Sequence, residues 1–138
     1  VVSRTFVICK PDAVERGLAG EILARLERKS LRLVAVELRT IDGATARRHY
    51  AEHEGKPFFA DLVAFITRGP SLLVVAEGTV ESTWKVVRTM IGSTDPAESS
   101  PGTIRGDYAI RITDNLVHGS DSETSAQREI GIFFPGLS

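Results

Sequence analysis

Apolar side chains recur along this chain with two spacings, and each change of spacing marks a boundary between elements. In TFVIC, residues 5–9, β-branched and aromatic side chains alternate and predict a strand that ends where KPDA breaks the pattern. Pro11 then opens a turn, and Asp12 with Glu15 has capping-box spacing for one short helical turn that Gly17 stops. EILARLERK carries a helical stripe of Ile22, Leu23 and Leu26, and LRLVAVELR alternates loosely as a second strand. From Gly43 onward, ATARRHYAEH reads as a helix ending near Gly55. A helix opened by Pro57 places Phe59, Leu62, Val63 and Ile66 on one face and leaves Phe58 off it. SLLVVAE, nearly all apolar and bounded by GP and EG, predicts a buried strand. Over residues 80–91 the period is helical again. Val80, Trp84, Val87 and Ile91 share a face, Trp84 reads as core, and Arg88 falls near the C-terminal end, where the helix dipole favours a cation.

The pattern stops at Gly92. Residues 92–106, GSTDPAESSPGTIRG, have hardly any apolar side chains and read as a loop; one of this length in a compact domain is usually functional or disordered. YAIRI alternates and predicts another short strand. An amphipathic helix starts near Asp121 or Ser122, and IFFPG ends it in an apolar patch and a turn. Strands separated by helices, with at least one pair joined without a full crossover helix, imply a small α+β or α/β sandwich whose helices cover the sheet.

Composition narrows the picture mainly by exclusion. A chain of 138 residues and 15.0 kDa matches a single domain over residues 1–138. A formal net charge of -1 gives no overall positive field for nucleic acid, and no stretch approaches the length of a membrane span, so no stable nucleic-acid or membrane partner is expected. The one cysteine, Cys9, lies in an apolar run and reads as a reduced, buried side chain, which suits a cytoplasmic setting. The start VVSRTF lacks the features of a signal peptide and also lacks Met, so a removed targeting segment stays an open alternative.

The chain contains neither a GxxxxGK[ST] nucleotide loop nor a GxGxxG turn. Any nucleotide phosphates would therefore be held by side chains, with Lys10, Arg88 and Arg105 as the candidates. His118, in NLVHGSDSETSAQREI, admits several readings. A structural zinc site could draw on His49 and His53 at i,i+4 in HYAEH, but this is not HExxH and no cysteine cluster completes it; two surface histidines are the simpler account. A serine nucleophile at Ser120 or Ser122 lacks the GxSxG elbow, and Ser120 with Glu123 fits a capping box for the last helix. His118 then stands just upstream of a helix N-terminus, a place that attracts a phosphoryl group and keeps an imidazole neutral. An incidental histidine beside a capped helix fits the local sequence equally well.

The ordered blocks KPDAVERGLAGEI, HYAEHEGKPFF, VVRTMIGSTDP, PGTIRGDYA and NLVHGSDSETSAQREIGIFF together resemble the nucleoside diphosphate kinase family across residues 4–135. NxxHGSDSxxSAxREI is highly specific for that family. The resemblance implies a ferredoxin-like α/β sandwich with a four-stranded antiparallel sheet covered by helices. It also implies ping-pong transfer of a γ-phosphoryl group from a nucleoside triphosphate to a nucleoside diphosphate, through a phosphohistidine on His118. By the same resemblance Glu129 orients the ring and Ser120 supports Glu129. Lys10, Tyr50, Arg88, Thr94, Arg105 and Asn115 match positions around phosphates, sugar and imidazole. Phe58 and Ile112 match the two sides of the base, and Asp121 matches the position near nucleotide-bound Mg²⁺, reached through water. Broad base and sugar specificity and a homo-oligomer are further implications, a hexamer being favoured over a tetramer. Two details depart from the pattern: TVESTWKVV is about two residues longer than in many members, and SETSA, with Thr124, stands where SxESA is usual.

Overall fold

Strand β1 (Ser3–Cys9) can be almost wholly apolar because it is covered on both faces, and residues 5–9 are all buried. Its alternating side chains feed two cores. Val7 and Cys9 join Ile22, Leu26, Val74, Val87, Ile91 and Ile104 on one face. Phe6 and Ile8 join Ala46, Ile66, Leu73, Val75, Ile130 and Phe133 on the other. Each fully buried aliphatic side chain contributes about 1.5–3 kcal/mol, so the two clusters supply most of the driving force that orders the layers.

The computed structural model describes residues 1–137. After β1 come α1 (Pro11–Glu15), α2 (Ala19–Arg28), β2 (Arg32–Arg39), α3 (Gly43–His49), α4 (Phe59–Thr67), β3 (Ser71–Gly78), α5 (Thr83–Ile91), α6 (Ile104–Tyr108), β4 (Val117–Gly119) and α7 (Glu123–Phe133). The sheet order is β2-β3-β1-β4, with every neighbouring pair antiparallel. This is the expected ferredoxin-like sandwich: α2 and α5 lie against one face, and α3, α4 and α7 against the other. Helices stand between every successive pair of strands, but β2 and β3 are antiparallel neighbours, so their connection makes no crossover, as expected of one pair.

Four local expectations are corrected. YAIRI is not a strand: Thr103 caps α6 by accepting the Gly106 N–H at 3.0 Å, Tyr108 completes that helix, and Ile110 and Ile112 are exposed. Its alternation thus placed apolar side chains outward. The fourth strand is instead β4, only three residues long. Helix α5 begins at Thr83, not Val80, because Ser3 and Thr83 hydrogen-bond each other and Val80 O accepts from Ser3 Oγ outside the helix. The buried face is therefore Thr83, Val87 and Ile91, with Trp84 only partly covered. The third correction concerns α1, where no side chain caps the helix and Asp12 points elsewhere. In the fourth, Ser122 rather than Ser120 caps α7, accepting the Ser125 N–H at 3.0 Å.

The 92–106 segment is ordered by its own short-range bonds and by two from outside it, Asn115 Nδ2 to Thr94 O and Arg25 Nη1 to Gly102 O. Asp95 caps a single 3₁₀ turn at Pro96–Glu98, and Thr103 Oγ1 donates to Ser100 O. Gly106 is required by close approach: a Cβ there would overlap the Ser100 carbonyl and sit 2.7 Å from Thr103 Oγ1. Gly106→Ala should lower stability by about 1–3 kcal/mol, the usual scale for forced overpacking. Urea unfolding would show this as a fall in midpoint at unchanged slope, and a wild-type midpoint would contradict the close packing.

Candidate active site

The short strand β4 pairs with β1 so that His118 lies opposite Ile8 and Val117 opposite Cys9, and Ser120 N donates to Phe6 O at 3.1 Å. Next to this ladder, β1 ends and Lys10 follows it. The chain enters β4 through Leu116, a non-glycine residue at φ 73°, in the left-handed region. Such a conformation costs roughly 1–2 kcal/mol and persists only where surrounding bonds enforce it. Those bonds are present. Arg105 donates from Nε to Asn115 O at 3.2 Å and from Nη2 to Val117 O at 2.6 Å. Lys10 N donates to Leu116 O at 2.9 Å, and Leu116 N donates to Asp12 Oδ2 at 3.0 Å.

His118 Nε2 lies 2.7 Å from Glu129 Oε1. A carboxylate only accepts, so Nε2 carries the proton and Nδ1 keeps its lone pair. Ser120 Oγ donates to the same Oε1 at 2.8 Å, which fixes the carboxylate in turn. Strand β4 supplies the histidine and α7 supplies Glu129 eleven residues later, and Ser122 as cap leaves the Ser120 hydroxyl free for this chain.

His49 is the residue that sequence reasoning misplaced. It is buried rather than superficial, with its ring centroid 4.7 Å from that of His118 at an interplanar angle of 86°. Burial, with further contributions from His118, Arg128 and Lys10, pushes its pKa down to about 2, so it is neutral at ordinary pH. Packing of α3 against α7 hides it, which the exposed-looking HYAEH pattern does not signal. Tyr50 stacks edge-on against His49 at 4.6 Å, and burial raises its phenol to about 12.

A cleft of about 590 Å³ opens beside His118. Five of the residues singled out in the sequence, Lys10, Tyr50, Phe58, Ile112 and His118, line it together with His53, Asp61, Leu62, Phe65 and Thr113. Phe58 is 45% exposed and Ile112 55% exposed, so two apolar faces stand open to solvent at its rim. Lys10 Nζ donates to Asn115 Oδ1 at 3.1 Å, and Asn115 Nδ2 donates to Thr94 O at 3.0 Å, so these three form one chain. Arg88 Nη1 donates to Gly119 O at 3.2 Å, next to His118. Arg105 is 4% exposed, and beyond its bonds to 115 and 117 its Nη1 also reaches Ser93 O at 3.2 Å. Burial first, then Arg88, lowers its pKa to about 10; Lys10 is likewise pulled down to about 8 by burial and by Arg105, with Asp12 opposing. Three cations thus gather around β4, of which Lys10 lines the cleft. Asp121 is exposed in the turn after β4, apart from the residues that line the cleft.

His49, His118 and Glu129 are the one group of metal-ligating type among the described residues. It is nitrogen-rich and buried, unsuited to hard Mg²⁺, which takes oxygen ligands and keeps several waters. Asp121 offers one exposed carboxylate, the oxygen type that Mg²⁺ takes. No helix among the described residues is long and apolar enough to cross a membrane.

The chain matches the family model described as nucleoside diphosphate kinase over residues 3–137. It is 58% identical over 139 residues to the nucleoside diphosphate kinase of Frankia casuarinae, covering 99% of this chain and 98% of that protein. The enzyme of that name from Mycobacterium tuberculosis is 53% identical over 137 residues, with 99% of each covered. Among solved structures, the halophilic nucleoside diphosphate kinase of Halobacterium salinarum in complex with CDP superposes with a TM-score of 0.93 at 48% identity, covering 97% of this chain and 88% of that one. A family member from Babesia bovis gives 0.94 at 42% identity, over 98% and 90%. With a match this long in sequence and in fold, the chain belongs to the nucleoside diphosphate kinase family.

Proposed function

We propose that this protein is a nucleoside diphosphate kinase acting as a single domain, in which His118 carries the phosphoryl group between two nucleotides. The observation that carries the reading is the 2.7 Å bond from His118 Nε2 to Glu129, which leaves Nδ1 as the nucleophile beside the cleft. Nδ1 attacks the γ-phosphorus, the N–P bond forms as the bridging P–O bond to the β-phosphate breaks, and the diphosphate departs. A second diphosphate then attacks phosphorus with its terminal oxygen and the N–P bond breaks. Donor and acceptor use one pocket in turn, so ping-pong kinetics follow.

Through both steps the Nε2 proton stays on the bond to Glu129, where it offsets charge on the ring. Lys10, Arg88 and the fixed charge of Arg105 stabilise negative charge on the transferring oxygens, while Asn115, anchored on Thr94 O, gives Lys10 Nζ a partner. Tyr50 packs on His49 and lines the cleft where the nucleotide would lie. Mg²⁺ carried by the nucleotide would supply further charge neutralisation, and Asp121 would be the carboxylate that receives it. The base lies between Phe58 and Ile112. Stacking on an aromatic face without a ring of base-edge donors tolerates any base, so the substrate range is broad in base and sugar.

The chain is further assigned to the cytoplasm and to a homo-oligomer, a hexamer ahead of a tetramer. Edge strand β2 supports assembly by exposing Val36 and Leu38, and Ile110 stands 85% exposed near the 92–106 segment.

His118→Ala should abolish both acid-labile phosphorylation by ATP and conversion of GDP to GTP while circular dichroism stays native. Exchange at near wild-type rate would sink the assignment. Glu129→Gln should still bind nucleotide and transfer about 10²-fold more slowly, the scale of lost orientation at a reacting atom; equal rates would remove that role.

Phe58→Ala should weaken ATP, GTP and CTP alike by about 1–3 kcal/mol. Calorimetric affinities unchanged by the substitution would return Phe58 to an ordinary surface aromatic. Light scattering coupled to size exclusion at several concentrations should give a mass near six chains, whereas an active 15.0 kDa species throughout would contradict assembly.

A further inference from the structure

Asp12 has no part in the reaction described above, yet its carboxylate is 4% exposed, at the foot of the strand that carries His118. One oxygen accepts the Leu116 N–H at 3.0 Å, and the other, Oδ1, is buried without a partner among the described residues. A carboxylate kept in this state for packing alone would be better replaced by an apolar side chain. Burial raises its pKa, and the bond from Leu116 pulls it back, so the group and this amide are energetically tied.

The geometry of the Asn115–Leu116 peptide explains the tie. Its carbonyl accepts from the Arg105 guanidinium at 3.2 Å, and its N–H donates to Asp12 at 3.0 Å. A cation holds the negative end of the peptide dipole and an anion holds the positive end. Turning the peptide over would point the carbonyl at Asp12 and the N–H at Arg105, which both charges oppose. The peptide orientation they select is the one with Leu116 at φ 73°. That turn places Asn115 on Lys10 and Thr94, and it leads directly into Val117–Gly119, paired with β1, with His118 facing Glu129.

We propose that Asp12 is a positioning residue for phosphoryl transfer, holding the Leu116 amide against Arg105 so that the left-handed turn before β4 aims both His118 and Asn115. The proposal rests on His118 being the nucleophile. Asp12 acts through the amide and touches neither nucleotide nor imidazole. Its negative charge also favours the charged form of Lys10, so removing the carboxylate has two separable effects. Loss of charge alters nucleotide affinity, and to the same degree in every neutral variant. Loss of the acceptor frees the peptide and slows transfer at saturating nucleotide.

Asp12→Asn and Asp12→Ala separate them, since both delete the charge and only asparagine keeps an oxygen within reach of the amide. Single-turnover phosphorylation of His118 by saturating Mg·ATP, with nucleotide affinities measured alongside, is the readout, at a temperature where thermal melts show both variants folded. Asp12→Ala should transfer at least about 30-fold more slowly than wild type and Asp12→Asn within about fivefold, with affinities of the two variants alike. Nitrogen NMR of the His118 ring should show the Nε2–H tautomer retained in Asp12→Asn and mixed in Asp12→Ala. Should Asp12→Ala fail to fold, Asp12→Ser has a hydroxyl too short to reach the amide and carries the same expectation. Equal transfer rates in the asparagine and truncated variants, or a change in affinity alone, would overturn the proposal. If wild type itself takes no phosphoryl group from ATP on His118, the reading of the nucleophile fails instead, so the two failures are distinguishable.

Discussion

The antiparallel pairing of β4 with β1 is the constraint on which the rest of the site depends. Only three residues take part, with Val7, Ile8 and Cys9 opposite Gly119, His118 and Val117. A strand this short has little stability of its own, so its position is borrowed from the buried strand beside it and from side chains that grip its entry and exit. At the exit Gly119 admits α5 closely: a Cβ there would stand 2.7 Å from Ile91 Cδ1. At the entry, Arg105 and Asp12 hold one peptide from opposite ends. His118 is therefore presented by a rigid element although it belongs to a minimal one. On the proposed reading, this suits a nucleophile whose Nδ1 meets phosphorus in line twice in each cycle.

The same crowding sets the electrostatics. Lys10 and Arg105 both lose some preference for the charged form through burial and through proximity of like charge, with Lys10 down to about 8 and Arg105 to about 10. A protein that gathers cations in this way is less stable than one that disperses them, and on the proposed reading an incoming polyphosphate relieves the repulsion. Burying His49 as a neutral ring next to His118 follows the same logic. A charged imidazole there would add another like charge, and its pKa of about 2 prevents that.

Much of this was legible in the sequence because the informative residues lie in contiguous blocks. Alternation in TFVIC and the apolar run SLLVVAE identified the two central strands, and Phe58 stood out by lying off the stripe of α4. Harder to read were features made by contacts between distant segments. Ser120 precedes Glu123 at capping-box distance and Ser122 does not, and only the packing of α7 against β1 decides that Ser122 caps while Ser120 meets Glu129. His49 looked superficial because its burial comes from α7, far along the chain. YAIRI misled because alternation reports two different faces and does not say which one is covered. The left-handed residue before β4 is a leucine, so no glycine advertised the turn.

On the proposed reading, the three cations divide the work by how firmly each is held. Arg105 is locked: its Nε and both terminal nitrogens are engaged with backbone carbonyls at 115, 117 and 93, so it offers phosphate mainly a fixed charge. Arg88 is bound once, to Gly119 O, and keeps most of its donor fork available. Lys10 is held by Asn115 alone through its ammonium, on a flexible stem that swings without disturbing the backbone. A phosphoryl group that moves between a nucleotide and His118 shifts its charge along the line of attack. Donors that must follow that shift cannot also be the ones that hold β4 in place. Separating the two tasks, with Arg105 and Asp12 fixing the backbone and Lys10 and Arg88 following the phosphates, lets one pocket take a triphosphate in the first half-reaction and a diphosphate in the second without moving the nucleophile.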